Sequence, residues 1–293
     1  MLHTILYVIK MRKLSEKIIK KVKTLRRRGY PYKDISKIVK VSVGSVYKYA
    51  YKLKLTKEAK KRLMTKMNKG KKRRHITKPS KLNKKLIRIM GHCFFDGSVN
   101  IDGIKYTNVS RELINQFAHD VKSVFKINPS NIISSKKKHE CFTVCFNYRE
   151  LADFLFSFTK SYSTSSKECE IPEIVFNSSS NEICEFLRTF WEDEGCIKSD
   201  GTICGKIKSR KIANQLLLLH KLIGIETYLR KDIINEAYEI IVKRNVKNLK
   251  KFINLVGFKN SLVCRGKYSN MKKLEVFNII YGNKVKSPSS SVG

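Results

Sequence analysis

The spacing of apolar positions divides the chain into a short helical segment and a longer region in which helices alternate with strands. Between residues 13 and 53, apolar residues recur every three or four positions in three short runs, which predicts three helices. Gly29 ends the first helix, Pro31 suits the start of the second, and Ser42 can cap the third. The sequence therefore predicts a small all-α domain at residues 13–53.

The third predicted helix, in VSVGSVYKYA, resembles the recognition helix of a helix-turn-helix domain. In that arrangement Ser45 and Lys48 lie on the outward face and contact DNA. Lys40 occupies the turn position that usually holds glycine. Between Arg12 and Leu53 there are 14 basic and two acidic residues, which favours DNA binding over a helical bundle for protein contacts.

An internal repeat organises the region from residue 82 to about residue 282. The segment SRELINQF in the first copy matches SRKIANQL in the second, and the Asp96 pair DG falls on the Glu194 pair EG. Each copy runs helix, alternating segment, helix, alternating segment, helix. The sequence predicts an α+β pseudo-twofold pair of half-domains at residues 82–170 and 171–282, with a flexible tail at 283–293.

Charge dominates the composition. The chain has 62 Lys and Arg against 24 Asp and Glu, a formal net charge of +38, and such an excess favours a polyanionic partner. Residues 54–81 are rich in lysine and arginine and contain one acid, Glu58, which predicts a mobile basic linker. No apolar run approaches the roughly 20 residues of a spanning helix, so no membrane partner is expected.

Cysteine spacing argues against a structural zinc site. No pair among the eight cysteines shows the two-residue spacing of a zinc knuckle or a redox motif. We expect reduced, mostly buried thiols in an intracellular protein, in the cytoplasm or nucleoid or in an organelle matrix.

Two acids stand at the ends of apolar helices, Asp96 in LIRIMGHCFFDGSV and Glu194 in FLRTFWEDEGCI. A carboxylate there faces the negative end of the helix dipole, which costs about 0.3 to 1 kcal/mol. A divalent cation would compensate, and Mg²⁺ prefers one or two carboxylates with waters and phosphate oxygens. We therefore expect Mg²⁺, or another divalent cation, at this pair. The alternative is an exposed acid before a glycine that ends the helix.

At these residues the sequence resembles the LAGLIDADG homing endonucleases. IMGHCFFDG and LRTFWEDEG are similar to the two copies of the family's nine-residue motif in its single-chain form. The resemblance covers roughly residues 82–275 and implies two αββαββα half-domains with curved DNA-binding sheets. It also implies that Asp96 and Glu194 each bind a divalent metal beside one scissile phosphate. Gly91 and Thr189, at the third motif position, would lie at the interface of the two motif helices.

The seventh motif position departs from the family pattern, which has a small residue there. Phe95 occupies it in the first copy and is expected to push the helices apart unless the partner helix yields. Asp193 occupies it in the second copy, either as a further acid in the site or as a surface residue. Either departure would indicate a partly degenerate enzyme.

Basic residues near the family's active site also have matches here. Lys167, before an IP pair, matches the lysine that precedes the second motif. In the second copy, the repeat shift gives Arg265, while the nearby lysine is Lys267. Such cations stabilise charge on the reacting phosphate. A lysine that only contacts the DNA backbone is the alternative.

Target reading is expected to come from the sheets. The plausible groove-facing residues are Asn100, Asp102, Lys105, Lys198, Lys206 and Lys208. A register slip by one residue would reverse the face of a strand. Lys136, Lys137 and Lys138 are expected to form a turn that grips phosphates.

Three functions remain open from the sequence. The first is a site-specific double-strand DNA endonuclease that supports mobility of its own intron or gene. The second is a non-catalytic DNA-binding regulator on the same fold. The third is an RNA-binding maturase that helps an intron fold. Because both motif copies are present in one chain, a monomer is expected.

Overall fold

A computed structural model describes residues 14–68, 75–136, 140–166 and 168–286 of the 293-residue chain. The chain separates into two compact units, Met1–Arg73 and Arg74–Gly293. Lys137, Lys138 and Lys167, which the sequence singled out, lie outside the described residues.

The first unit is all-α. Its helices are α1 (Glu16–Arg27), α2 (Tyr32–Val39), α3 (Val43–Ala50) and α4 (Lys57–Asn68). Its buried core consists of Val22, Ile35, Val46 and Ala50, at helical spacing on the facing sides of the first three helices.

The turn between α2 and α3 is tight although it lacks glycine. Lys40 adopts the left-handed conformation that such a turn requires, with φ 56°. Left-handed backbone at a residue with a Cβ costs roughly 1 to 2 kcal/mol. The cap of α3 offsets part of this cost, because Ser42 Oγ accepts a hydrogen bond from the Ser45 backbone N–H at 3.1 Å.

The basic stretch after α3 is a helix rather than a mobile linker over much of its length. The predicted linker at residues 54–81 contains α4, and Ala59 in that helix is buried. A Cβ on Gly29 would lie 2.3 Å from the Ala59 carbonyl oxygen, so α4 packs closely on the end of α1. Lysine is a good helix former, so a helix is compatible with this lysine-rich composition.

The second unit contains two copies of the order αββαββα. The first copy consists of α5 (Lys84–Phe95), β1 (Gly97–Asn100), β2 (Gly103–Asn108), α6 (Arg111–Phe125), β3 (Asn131–Lys136), β4 (Glu140–Phe146) and α7 (Arg149–Phe156). A short helix, α8 (Glu173–Phe176), follows. The second copy consists of α9 (Ser180–Asp193), β5 (Gly195–Ile197), β6 (Ile203–Ile207), α10 (Arg210–Leu222), β7 (Thr227–Asp232), β8 (Ala237–Val242) and α11 (Val246–Leu255), and α12 (Lys273–Lys286) closes the unit.

Each copy folds its four strands into one antiparallel sheet. The strand orders are β1-β2-β4-β3 and β5-β6-β8-β7, so the two sheets have the same topology. The first strands start in equivalent registers, since Gly97 pairs with Tyr106 and Gly195 pairs with Gly205. The α+β pair of αββαββα half-domains is therefore confirmed.

The second unit extends beyond the predicted half-domain boundaries at both ends. Residues 75–81, assigned to the linker, attach to the first half: Thr77 N–H donates to the Phe125 carbonyl at 3.0 Å, and Ile76 N–H donates to Glu150 at 3.1 Å. At the other end, α12 continues to Lys286, so the helix extends past residue 283, where the tail was predicted to begin. In the part of the chain that the structure describes, no helix combines the length and apolarity needed to cross a membrane.

Helices α5 and α9 pack side by side at the centre of the second unit, and Gly91 faces Thr189 where they meet. A Cβ built on Gly91 would lie 2.0 Å from Thr189 Oγ1. The threonine hydroxyl turns back to donate to the Phe186 carbonyl at 2.7 Å, so it stays satisfied inside this contact. Only glycine at residue 91 permits this approach.

We expect Gly91→Ala to lower the free energy of unfolding by about 1 to 3 kcal/mol, because the added methyl group overpacks the helix contact. The matched control is Gly282→Ala in α12, where no atom lies within 4 Å of the new methyl. That variant should gain about 0.5 to 1 kcal/mol from helix propensity. Urea unfolding followed by fluorescence of Trp191, the single tryptophan, measures both. Equal effects of the two substitutions would contradict the close contact.

Candidate acidic site at the ends of the paired helices

Asp96 and Glu194 end the two central helices in the same way. They are the C-cap residues of α5 and α9, with φ and ψ of −104° and 0° at Asp96 and −104° and −12° at Glu194. The next residue in each copy must be glycine. A Cβ on Gly97 would lie 2.6 Å from Cys93 Cα, and one on Gly195 would lie 2.3 Å from the Trp191 carbonyl oxygen. The acid–glycine pair thus turns the chain directly from helix into strand.

Asp193, the neighbour of Glu194, is sealed inside the interface rather than placed on the surface. Its side chain is 0% exposed. One carboxylate oxygen lies 2.9 Å from His92 Nδ1, and the other accepts from the Tyr106 hydroxyl at 2.7 Å. Both partners belong to the first copy. A buried carboxylate requires such partners, so the first copy supplies the pocket for an acid of the second.

The His92–Asp193 contact is a buried hydrogen bond that becomes an ion pair when His92 is protonated. Burial opposes protonation of His92, but the charge and hydrogen bond of Asp193 outweigh it, so the pKa of His92 lies above its ordinary value. Nε2 of His92 has no hydrogen-bond partner among the described residues. Asp193 therefore fixes the orientation of His92 through its contact with Nδ1 alone.

Phe95 does not hold the helices apart. It packs against Phe186 and Phe190 of the second copy, with ring centroids 5.5 and 5.2 Å away. Space for this cluster comes from β6, because a Cβ on Gly205 would lie 2.5 Å from the Phe190 ring. The helices are not pushed apart, because a glycine in the opposite sheet makes room for the aromatic cluster and the partner half thus accommodates Phe95.

Asn108 connects the buried acid to the acid at the helix end. Its side-chain amide donates to Asp96 at 3.2 Å and to Asp193 at a longer 3.4 Å. Its Oδ1 accepts from the Ser110 backbone N–H at 2.9 Å, which fixes the direction of the amide. Asp96 keeps its remaining lone pairs available, and solvent reaches its side chain.

The acids at the two helix ends share an environment that disfavours their charge. Desolvation, followed by the charges of Asp193 and Glu194, raises the pKa of Asp96 to about 8. Desolvation and the charge of Asp193 raise the pKa of Glu194 to about 7. Desolvation by the surrounding protein atoms is the larger cause of the raised pKa of Asp96. The repulsion from neighbouring carboxylates contributes less, because solvent reaches Asp96 on one side and partly screens it.

Lys273, at the start of α12, is the cation whose charge acts most strongly on both acids. It is 4% exposed and donates to the carbonyls of Trp191 at 3.1 Å and Glu192 at 2.7 Å. A cation at these last carbonyls of α9 is favoured by the helix dipole. Burial lowers the pKa of Lys273, while its charge counteracts the rise at Asp96 and Glu194. The sequence analysis missed Lys273, because nothing in its local pattern separates it from other lysines.

A cleft of about 730 Å³ opens beside these groups. Its lining includes Asp96, Asp193, Lys273, Arg265 and Lys267. Arg265 and Lys267 are both exposed at the rim, and the Lys267 ammonium lies 5.4 Å from the Tyr268 ring centre. Both alternatives for the second basic residue thus reach the same cleft.

The two sheets carry different charge on their outer faces. In the first sheet Lys105 is exposed, and Asn100 uses its side-chain oxygen to accept from the Asp102 backbone N–H at 2.9 Å in the β1–β2 turn. Lys136 ends β3, and its side chain is outside the described set. Among the described side chains of its four strands, Lys105 is the exposed cation.

In the second sheet, acids neutralise two of the three singled-out lysines. Glu239, with a side chain 3% exposed, lies 3.2 Å from Lys198 and 3.3 Å from Lys206, and Lys206 also lies 2.6 Å from Asp232. Lys208 is exposed. The ion pairs hold the lysine head groups in place on the outer face but reduce its net charge.

In the first unit, the two singled-out residues lie on α3. Lys48 is exposed, whereas Ser45 is half-buried and its hydroxyl lies 2.9 Å from that of Ser42. Sequence reasoning did not single out the neighbouring tyrosines Tyr47 and Tyr51. They are 52% and 49% exposed and stack at 5.3 Å. Exposed stacked rings next to a lysine give α3 a flat aromatic surface.

A divalent cation at the helix ends would need ligands from outside the protein to complete its coordination shell. Across residues 14–68, 75–136, 140–166 and 168–286, no group of three or more His, Cys, Asp or Glu residues is placed to hold a metal. Asp193 is occupied by His92 and Tyr106, which leaves Asp96 and Glu194 as the donors. Two carboxylates match what Mg²⁺ takes from a protein when waters and phosphate oxygens complete its shell.

Two segments of the chain match known family models. Residues 181–257 match the family model of the LAGLIDADG-like domain, and residues 10–53 match that of the helix-turn-helix domain of resolvase. Both resemblances found in the sequence are thereby confirmed. No curated protein sequence matches the chain.

Solved structures with related folds share little sequence with it. Full-length DUF199/WhiA from Thermatoga maritima is 13% identical with a TM-score of 0.46, covering 71% of this chain and 63% of that one. The chain thus spans less than two thirds of WhiA. I-DmoI in complex with DNA and Mn is 13% identical with a TM-score of 0.45, covering 60% of this chain and 98% of that one. I-WcaI bound to its DNA recognition sequence is 12% identical with a TM-score of 0.46, over 60% and 82%.

We expect Asp193→Asn to lower the free energy of unfolding by about 3 to 5 kcal/mol, because protonated His92 is then buried without its counter-ion. Adding His92→Leu to Asp193→Asn should recover part of the loss, since no unpaired cation remains. A double-mutant cycle from urea unfolding gives the coupling. Additive single effects would show that the two side chains do not interact.

The raised pKa values predict how a divalent cation acts on stability. The folded state binds more protons than the unfolded state between the ordinary carboxylate range and pH 7 to 8, so stability falls as pH rises through that window. Mg²⁺ competes with these protons, and its stabilising effect should therefore grow with pH across the same window. Thermal unfolding with and without Mg²⁺ measures this.

Two variants test whether the metal binds at these acids. Asp96→Asn combined with Glu194→Gln should remove the pH-dependent gain from Mg²⁺. Asp153→Asn, at an acid that is 63% exposed on α7, should leave it unchanged. A gain that persists in the double variant would place the metal elsewhere.

Proposed function

We propose that this chain, which carries a LAGLIDADG-like domain and a helix-turn-helix domain, is a site-specific double-strand DNA endonuclease that uses Mg²⁺ or another divalent cation. The observation that carries the proposal is the equivalent placement of Asp96 and Glu194, two poorly solvated carboxylates at the ends of paired helices. Such a pair in a chain with a net charge of +38 suits a cation and a nucleic acid together.

The chain's own residues have distinct tasks in this reaction. Asp96 and Glu194 would hold the divalent cation, which supplies an activated water and stabilises charge at the phosphate. Asn108 orients the Asp96 carboxylate through its amide. Lys273 balances the negative charge of the site from beneath α9 and does not reach out to DNA, because its ammonium is held by two carbonyls.

Arg265 and Lys267 suit contact with the reacting phosphate. Both are exposed at the rim of the cleft that contains Asp96. An exposed cation there can approach a phosphate without giving up a buried hydrogen bond, which Lys273 cannot do. Lys167 remains the proposed counterpart in the first copy.

Double-stranded DNA is the proposed partner of both units. Lys48 on α3 and Lys105, Lys198, Lys206 and Lys208 in or directly after the strands would contact it. Further proposed contacts are Ser45, Asn100, Lys136, Lys137 and Lys138. Because most of these contacts are to phosphates, affinity should fall steeply with salt. We further propose that a single chain binds one site and that cutting supports mobility of an intron or gene.

A DNA-binding regulator on the same fold is the second candidate. The helix-turn-helix domain favours it, because this domain binds DNA without any need for the acids. The packing of Phe95 removes one reason for this alternative, since the bulky side chain does not separate the helices. An RNA-binding maturase remains an untested prediction.

We expect Asp96→Asn or Glu194→Gln to reduce cutting of bound duplex in Mg²⁺ by roughly 100-fold or more, while affinity for DNA changes little. Duplexes are first selected from a random pool for binding to the wild-type chain, so no target sequence is needed beforehand. Cleavage and binding are then measured on the same duplexes.

Two results separate the candidates. If the wild-type chain binds selected duplexes but leaves them intact in Mg²⁺ and Mn²⁺, the regulator replaces the nuclease. If the Asp96→Asn/Glu194→Gln double variant cuts as fast as wild type, the two-acid mechanism is wrong. Asp200→Asn, at an exposed acid in the β5–β6 turn, is the control and should cut normally.

A further inference from the structure

Two thiols face each other across the first hairpin of the second copy. Cys196 in β5 and Cys204 in β6 are directly opposite in the strand register. Their sulfur atoms are 3.4 Å apart, and both are free thiols. Neither residue has a part in the proposed reaction, so the pair is available for another chemistry.

The geometry of the pair suits a disulfide. Directly opposite residues in antiparallel strands have Cα atoms roughly 4.5 to 5.5 Å apart, within the range of about 4.4 to 6.8 Å that a disulfide spans. Rotation of the two side chains brings sulfur atoms that are already in contact to bonding distance. The strands need no change of register.

The two thiols differ in access. Cys196 is half-buried and lines the cleft of about 730 Å³, whereas Cys204 is fully buried behind it. A small oxidant entering the cleft therefore meets Cys196 first. An accessible thiol with a second thiol at its back is the arrangement of a reacting cysteine and its resolving cysteine.

The charge of the cleft indicates which oxidant would enter. Lys198, which follows β5 and pairs with Glu239, lines it together with Arg265 and Lys267, which are exposed at the rim. Cations at the entrance attract an anionic reagent and raise its local concentration. A small anionic disulfide such as oxidised glutathione fits this better than a cationic or neutral one.

We propose that Cys196 and Cys204 form a reversible oxidation site for a small anionic disulfide. The Cys196 thiolate attacks one sulfur of the reagent, the reagent's S–S bond breaks, and one thiolate leaves. Cys204 gives its proton to solvent and attacks the Cys196 sulfur of the mixed disulfide, releasing the second thiolate. The two protein thiols are oxidised, and the reagent is reduced to two thiols. This inference is independent of the proposed nuclease activity.

The test treats the full chain with oxidised glutathione and then counts free thiols after denaturation. We expect the loss of two thiols per chain, a peptide cross-link between Cys196 and Cys204 found by mass spectrometry, and full reversal by excess reduced glutathione. Trp191 fluorescence verifies that the chain stays folded. A wild-type chain that keeps both thiols, or keeps glutathione on Cys196 with Cys204 unreacted, would overturn the proposal.

Three variants assign the roles of the sulfurs. Cys204→Ser should stop at a stable glutathione adduct on Cys196, and Cys196→Ser should leave Cys204 as a free thiol. Cys264→Ser is the matched control, because Cys264 is exposed in the same cleft but outside the pair. It should form the Cys196–Cys204 bridge as wild type does. A bridge from Cys196 to Cys264 in the wild-type chain would contradict the proposed pairing.

Discussion

The contact between Gly91 and Thr189 is the constraint on which the site depends. It lets α5 and α9 pack closely, and the acid at the end of each helix is its C-cap residue. The first strand of each sheet starts at the glycine that follows the acid. Each sheet is thereby fixed relative to the acid that precedes it, which makes the positions of Asp96 and Glu194 a consequence of helix packing.

The two copies complement one another, although they share one topology. The seventh motif position is aromatic in the first copy and acidic in the second, and each copy provides the matching pocket. His92 and Tyr106 receive Asp193, whereas Phe190 and the space above Gly205 receive Phe95. A pair of identical copies would bring either two buried acids or two unmatched phenylalanines together. Each half therefore packs better against the other half than it would against a second copy of itself.

The order of the elements and the two acids could be predicted from the sequence, because both follow from local patterns. The repeat, the helical spacing and the acid–glycine pairs needed no long-range information. Lys273 and Asn108 were not predictable, since their roles arise from contacts with α9 and Asp193 in distant parts of the chain. Whether the partner half would accommodate Phe95 was left open by the sequence for the same reason. Its fit depends on Gly205, a residue in the other copy's sheet.

The electrostatics of the helix ends show how two acids can be accommodated in a chain with a formal net charge of +38. Burial raises the pKa of Asp96 to about 8 and that of Glu194 to about 7, so near neutral pH both groups carry less negative charge than ordinary carboxylates. Partial protonation weakens the repulsion of a phosphate. A divalent cation that displaces these protons would offset the charge of both carboxylates. The charge of Lys273 further counteracts that of the two acids.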